Sequence, residues 1–266
     1  MRAVILLYMC ASVISPFAYA QKSGNFDGRV SHVLDRMASS DLKTREAAFD
    51  DMLDIIAEGQ LRPERVDYKH ALDAFFKRHP DQTDRVKLGL LDVLRADNDT
   101  FMHPDASQKN FTESDSEHYA EAINVVSSLD DERAIPVLVG AISTGKMAMG
   151  GILKFGQKAL DPVLAQLGNP NPEIRSSAIT VGITILRMKN DPASRSRIVE
   201  IIRTAITDQE YLARSSGLRA IEGLDDRKQF LPALKEMAEH DPFIVPGETV
   251  YPLRVRAQRL IDKISN

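Results

Sequence analysis

The sequence predicts an all-α protein made of short helical hairpins stacked antiparallel, and three observations predict it. Apolar residues fall at helical spacing almost throughout. No stretch alternates strictly with period two, so no strand is expected. The breaks between apolar stripes are short and carry turn chemistry: Ser39-Ser40-Asp41, His79-Pro80-Asp81, Gly168-Asn169-Pro170-Asn171-Pro172 and Asn190-Asp191-Pro192. Helices joined by turns this short fold back on their neighbours.

Taken in order, Val30, Val33, Leu34 and Met37 form the first stripe. Ala47, Ala48, Met52, Leu53, Ile55 and Ile56 form the second. Ala71, Leu72, Phe75 and Phe76 follow, then Val86, Leu88, Leu90, Leu91 and Leu94. A hydrophobic fraction of 43% is enough for a sizeable core in one or two domains. Aromatic residues make up only 6% of the chain, with no Trp. That suits helices packed through Leu, Ile, Val and Ala better than a β-sandwich.

Residues 1–20 have a different composition. A basic start, Met1-Arg2, precedes a nearly unbroken apolar run from Ala3 to Phe17, and Ala18-Tyr19-Ala20 places small residues before Gln21. This is the pattern of a secretory signal peptide cleaved after Ala20, with an apolar run too short for a good membrane span. The alternatives are an uncleaved anchor and, through Cys10, a lipoprotein; Tyr8-Met9 stand where a lipoprotein carries small residues. Cys10 is the only cysteine, so the processed chain has no disulfide, zinc–thiolate site or thiol nucleophile. Export without disulfides points to a bacterial periplasm, or to the cell exterior. The sequons at Asn98 and Asn110 read as chance matches.

The chain has 34 basic and 38 acidic residues, a net charge of −4, and losing Arg2 with the leader makes it one charge more acidic. A nucleic-acid binder would show a basic excess. No later segment is apolar enough to span a bilayer.

The hairpins resemble one another. Val33-Leu34-Asp35-Arg36-Met37 compares with Val163-Leu164-Ala165-Gln166-Leu167. An Arg follows the last apolar residue at the same interval from Met37 to Arg45, Leu167 to Arg175 and Ile206 to Arg214, and small residues follow each Arg. Leu129 to Leu138 echoes Leu224 to Leu234, with a looser copy at Phe155 to Leu164. Pro136, Pro162 and Pro232 share one place in it, early in a helix where a missing N–H costs little.

With these features the chain resembles the HEAT-repeat family, in particular the short bacterial HEAT-like units of phycobilisome lyases. The likeness covers residues 129–239 and recurs at 26–58. It implies an α-solenoid (an α-α superhelix) whose second helices line a concave, ligand-facing side, and it implies no chemistry. Three stretches depart from the pattern: a polar insertion at 97–117, read as a loop; a helix at 118–128 with no obvious first partner; and a proline-rich insertion at 241–252.

A search for chemistry finds no catalytic, cofactor-binding or metal-binding residue. There is no Gly-x-Ser-x-Gly elbow, and His32, His70, His79, His103, His118 and His240 form no metal-spaced pair. Asp97-Asn98-Asp99 lacks the later Gly and Glu of a calcium loop. Asp115, Glu117, His118 and Glu121 suit a helix start. Ser143-Thr144-Gly145-Lys146 lacks the first Gly and final hydroxyl of a phosphate loop. Arg45, Arg175 and Arg214 read either as an anion-binding ladder or, as their repetition favours, as ties to turn carbonyls or to a carboxylate of the preceding unit. Arg254, Arg256 and Arg259 on the last helix form either a polar cap or a partner-docking patch. The expectation is a non-enzymatic interaction or scaffolding module of the bacterial envelope, taking a protein or peptide on its concave face. The alternative is an accessory protein binding a small ligand or chromophore, as HEAT-like lyases do.

Overall fold

The computed structural model describes residues 16–57, 67–102 and 111–265, with side chains from Phe26 onward. The expected leader falls outside these residues up to position 15. So does the middle of the first insertion, including His103. Among the described residues the protein is all-helical with no strand.

Five of the described helices start where the sequence supplies a side-chain acceptor for their orphan N–H groups. α2 (Leu42–Ile56) is capped by Asp41, whose carboxylate accepts from Thr44 N, and α3 (Tyr68–Arg78) by Asp67, accepting from His70 N. α5 (Glu113–Ser127) opens on a reciprocal capping box between Thr112 and Asp115. α9 (Pro172–Lys189) and α10 (Pro192–Ile206) combine an Asn171 or Asp191 cap with a Pro in the first turn. The Ser194 backbone N–H, chief among several donors, holds the Asp191 carboxyl down at about 2. α9 ends on Asn190 in the left-handed conformation, φ 51°. Pro136, Pro162 and Pro232 sit in the first turns of α6 (Ala134–Gly140), α8 (Leu160–Leu164) and α12 (Leu231–His240).

Two compact units divide at Val93/Leu94, inside α4 (Thr83–Phe101). In the first, α1 (Pro16–Met37) packs on α2, burying Val30, Val33 and Met37 against a side that includes Phe49 and Met52. α3 adds Leu72 and Phe75 to the core. Its C-cap residue His79 stacks on Phe26 with ring centroids 4.2 Å apart.

In the second unit, α5 packs on α6 and on α7 (Lys146–Lys154), and α7 reaches α9. α9 packs on α8, α10 and α11 (Tyr211–Glu222); α11 touches α13 (Pro252–Ser265), which pairs with α12. The second helices of successive hairpins, α7, α9, α11 and α13, therefore touch in sequence order. Within the α10–α11 hairpin a glycine permits close approach: a Cβ on Gly217 would lie 2.7 Å from Ile206 Cγ2 and 3.1 Å from Ile206 N.

The first insertion differs from its sequence reading. α4 continues through Asp97, Asn98 and Asp99 to Phe101, and α5 already begins at Glu113. The helix expected over 118–128 has a first partner, the end of α4. Residues 241–251 form no helix.

The Gly217→Val variant is expected to lose about 1–3 kcal/mol of stability through overpacking against the α10 backbone. Gly150→Ala, in α7 with open space at its Cβ, is expected to gain about 0.5–1 kcal/mol. Urea titration followed by circular dichroism measures both.

Candidate functional site

The repeated arginines share one geometry. Arg45 Nη1 donates to Ser39 O at 2.9 Å and Ser40 O at 3.5 Å. Arg175 Nη1 donates to Asn169 O and Pro170 O at 2.8 and 3.1 Å. Arg214 Nη1 donates to Asp208 O and Gln209 O at 2.9 and 2.6 Å. Each guanidinium thus closes the turn that leads into its own helix, satisfying carbonyls that no helix ladder reaches.

Arg175 and Arg214 also grip a carboxylate. Arg175 binds Asp208 bidentately, with Nε–Oδ2 2.9 Å and Nη2–Oδ1 2.7 Å. Arg214 binds Asp241 in the same way at 2.7 and 3.2 Å. The carboxylate comes from the turn of the following hairpin, where the sequence reading placed it in the preceding one. The acceptor residue is itself part of the pattern. Asp208 Oδ1 accepts from Glu210 N, Asp241 Oδ1 from Phe243 N and Asn169 Oδ1 from Asn171 N. The Arg214–Asp241 pair is buried, its side chains 8% and 2% exposed. The hydrogen bond from Arg175 holds the Asp208 carboxyl below the usual carboxylate range, and Asp208 raises Arg175 in turn.

The last helix repeats the motif with changes. Arg254 Nε donates to Asp241 O at 2.7 Å, and its guanidinium lies 3.9 Å from the centre of the Tyr251 ring. Arg256 binds Glu222 of α11 bidentately at 2.9 and 2.8 Å. Of the three C-terminal arginines, Arg254 and Arg256 are thus held by the protein itself. Arg259 is exposed.

A buried polar cluster, unforeseen in the sequence, joins α4, α5 and α6. His118 Nε2 lies 3.0 Å from Asp97 Oδ2, and Asp97 is fully buried. Tyr119 Oη donates to Asn98 Oδ1 at 2.7 Å, and Asn98 Nδ2 donates to Val137 O at 2.8 Å. Burial, with the Asp97 charge second, pushes the Tyr119 phenol above its ordinary value, so it remains a neutral donor. Asp115 caps α5 as expected of a helix start, but His118 turns inward. Helical spacing was the available signal, since Leu90, Leu94, Asp97 and Phe101 share one face.

The second helices carry the remaining candidates, half-buried hydroxyls and exposed side chains. Thr180 and Thr184 on α9 bond back to the carbonyls one turn earlier, and Ser176 meets Ser216 of α11 at 2.8 Å. On α11, Leu212 and Arg219 are exposed, and on α13 Val255, Arg259 and Lys263. A shallow open cleft of about 650 Å³ near the start of α6 is lined by Asp130, Glu132, Lys154 and Lys158, whose charges pair with one another. Ser143 to Lys146 forms a helix-to-helix turn with Gly145 at φ 67°. Among the described residues no group of three or more His, Cys, Asp or Glu is placed to hold a metal ion, and no helix is long and apolar enough to cross a membrane.

No protein-family model, curated protein or solved structure matches the chain.

Removing one partner of the buried pair, as in Asp241→Ala, leaves the Arg214 charge uncompensated and is expected to cost about 3–5 kcal/mol. R214M combined with D241L is expected to cost less, and denaturant titration of all three proteins measures the difference. The Asp208 pKa is lower in the folded chain than in the unfolded one. Its pair therefore stabilises the fold above the unfolded value of about 4 and loses that effect as pH falls through the folded value. The melting temperature is expected to drop over this acid range, and Arg175→Met to make the drop shallower.

Proposed function

We propose that this protein is an exported α-solenoid of HEAT-like hairpins that acts as a non-enzymatic binding or scaffolding module of the bacterial envelope, taking a protein or peptide partner. One observation carries this reading. The second helices α7, α9, α11 and α13 touch in sequence order, and Arg175 and Arg214 repeat one rung between the hairpins of α9, α11 and α13. Stacked hairpins tied in this way bury their core between units and leave an extended groove along the second helices. The second helices carry hydroxyls, isolated exposed apolar side chains and cations, which suit recognition of another chain and support this reading. Fold alone does not fix function, so the reading rests on this surface. Export rests on residues 1–20, and membership of the HEAT-like group on the repeated Pro and Arg positions.

Edman sequencing of the exported protein is expected to begin at Gln21; an N-terminus at Met1 would remove the signal-peptide reading. Cross-linking residues 21–266 to an envelope extract of the source cell is expected to join one or two stoichiometric partners to α9, α11 or α13. Cross-links confined to α10 and α12, or none above background, would refute the groove.

A further inference from the structure

The face shared by α11 and α13 concentrates positive charge on an acidic protein. Around Glu222 stand Arg256, which binds it, and Lys263 and Arg219, which also favour its charged form. Arg259 lies one turn from both Arg256 and Lys263; positions 256, 259 and 263 share one side of α13, while Gln258 and Asp262 lie around the helix and bond to each other at 2.9 Å. Glu222 is taken by Arg256. Arg219, Arg259 and Lys263 are left with no ion-pair partner among the described residues. Their exposure is matched by that of Leu212 and Val255, 38% and 40%, on the same two helices.

Some of this charge has a local cause. Arg219 and Lys263 sit in last turns, where a cation meets the helix dipole favourably. Arg259 is in the middle of α13 and has no such reason. It stands five residues after Arg254, as Arg219 does after Arg214, so two touching helices each offer an exposed guanidinium. Helix axes in contact lie about 8–10 Å apart, a spacing that successive carboxylates of an extended chain can follow.

We infer that the α11–α13 face docks an extended acidic segment of a partner protein, with carboxylates on Arg219 and Arg259 and aliphatic side chains on Leu212 and Val255. The inference rests on the binding-module reading and narrows it. Guanidinium groups match carboxylates in a planar, bidentate way. A nucleic acid would call for a longer run of cations than three, and the bare aliphatic positions between them suit a peptide. The chain's net charge of −4 repels acidic partners elsewhere and orients them to this patch.

The test uses the chain 21–266 and a fluorescein-labelled peptide of about twelve residues alternating Glu with Leu and Val, with a control carrying Lys in place of each Glu. Anisotropy is expected to show saturable binding of the acidic peptide that weakens with salt, and at least about tenfold weaker binding of the control. The double variant R219E/R259E is expected to lose about tenfold or more in affinity for the acidic peptide while it keeps its helical circular-dichroism spectrum and one cooperative melt, both positions being exposed. Equal binding by wild type and variant, equal binding of the two peptides, or no binding of either would overturn the proposal. So would binding to anionic phospholipid vesicles without binding to the peptide. If R219E/R259E still cross-links its envelope partner as wild type does, the module reading stands and this site falls; if wild type cross-links nothing, the module reading fails by itself.

Discussion

The second unit depends on the arginine that closes each turn and reaches the next. A guanidinium has five donors in a fixed fork, and Arg214 divides them between two turn carbonyls behind it and a buried carboxylate ahead of it. Turn carbonyls at a helix start would otherwise be poorly satisfied, and a lone buried guanidinium would be costly. Each need meets the other. The consequence is geometric as well: with both ends of the fork fixed, the start of the second helix is tied to the turn behind it and to the hairpin ahead. Gly217 and Ser216 then fit the close approach of α10 and α9.

Much of the fold was legible because it rests on local chemistry. Asp41, Asn171 and Asp191 announce their helices, Pro172 and Pro192 fix the first turns, and Arg45, Arg175 and Arg214 recur at one place in the hairpin. These signals depend on residues a few positions apart, and a single sequence contains them in full. The direction of the arginine's second contact depends on tertiary structure. Ser39, Asn169 and Asp208 each stand six residues before an arginine, a spacing that marks the turn acceptor. It does not say which hairpin supplies the guanidinium for the carboxylate.

The Asp97–His118 cluster shows where composition misleads. Asp97-Asn98-Asp99 is as polar as any loop in the chain, yet the stripe from Leu90 through Leu94 and Asp97 to Phe101 never breaks step. Polarity suggested solvent, and periodicity suggested core. Periodicity prevailed because Asp97, Asn98, His118 and Tyr119 satisfy one another and the Val137 carbonyl, so their burial leaves no orphan among these contacts. The exposed face of α11 and α13 was legible only in part. Arg254, Arg256 and Arg259 look alike in the sequence, and only packing separates the two that the protein holds from the one it leaves outward.

The ladder also has a direction. Every carboxylate in it is claimed by the arginine of the hairpin before, and the first node, Asn169, is an uncharged amide with its own carbonyl facing Arg175. Cutting the chain ahead of the α8–α9 hairpin would therefore strand no charge of the ladder, whereas cutting between later hairpins parts an arginine from its carboxylate and strands both. A fragment that begins at the α8–α9 hairpin keeps both pairs, and one that ends before Asp241 leaves Arg214 without its carboxylate. In a nascent chain emerging N-terminus first, Arg214 lacks its Asp241 counter-ion until the following hairpin emerges, which couples the burial of one hairpin's arginine to the folding of the next.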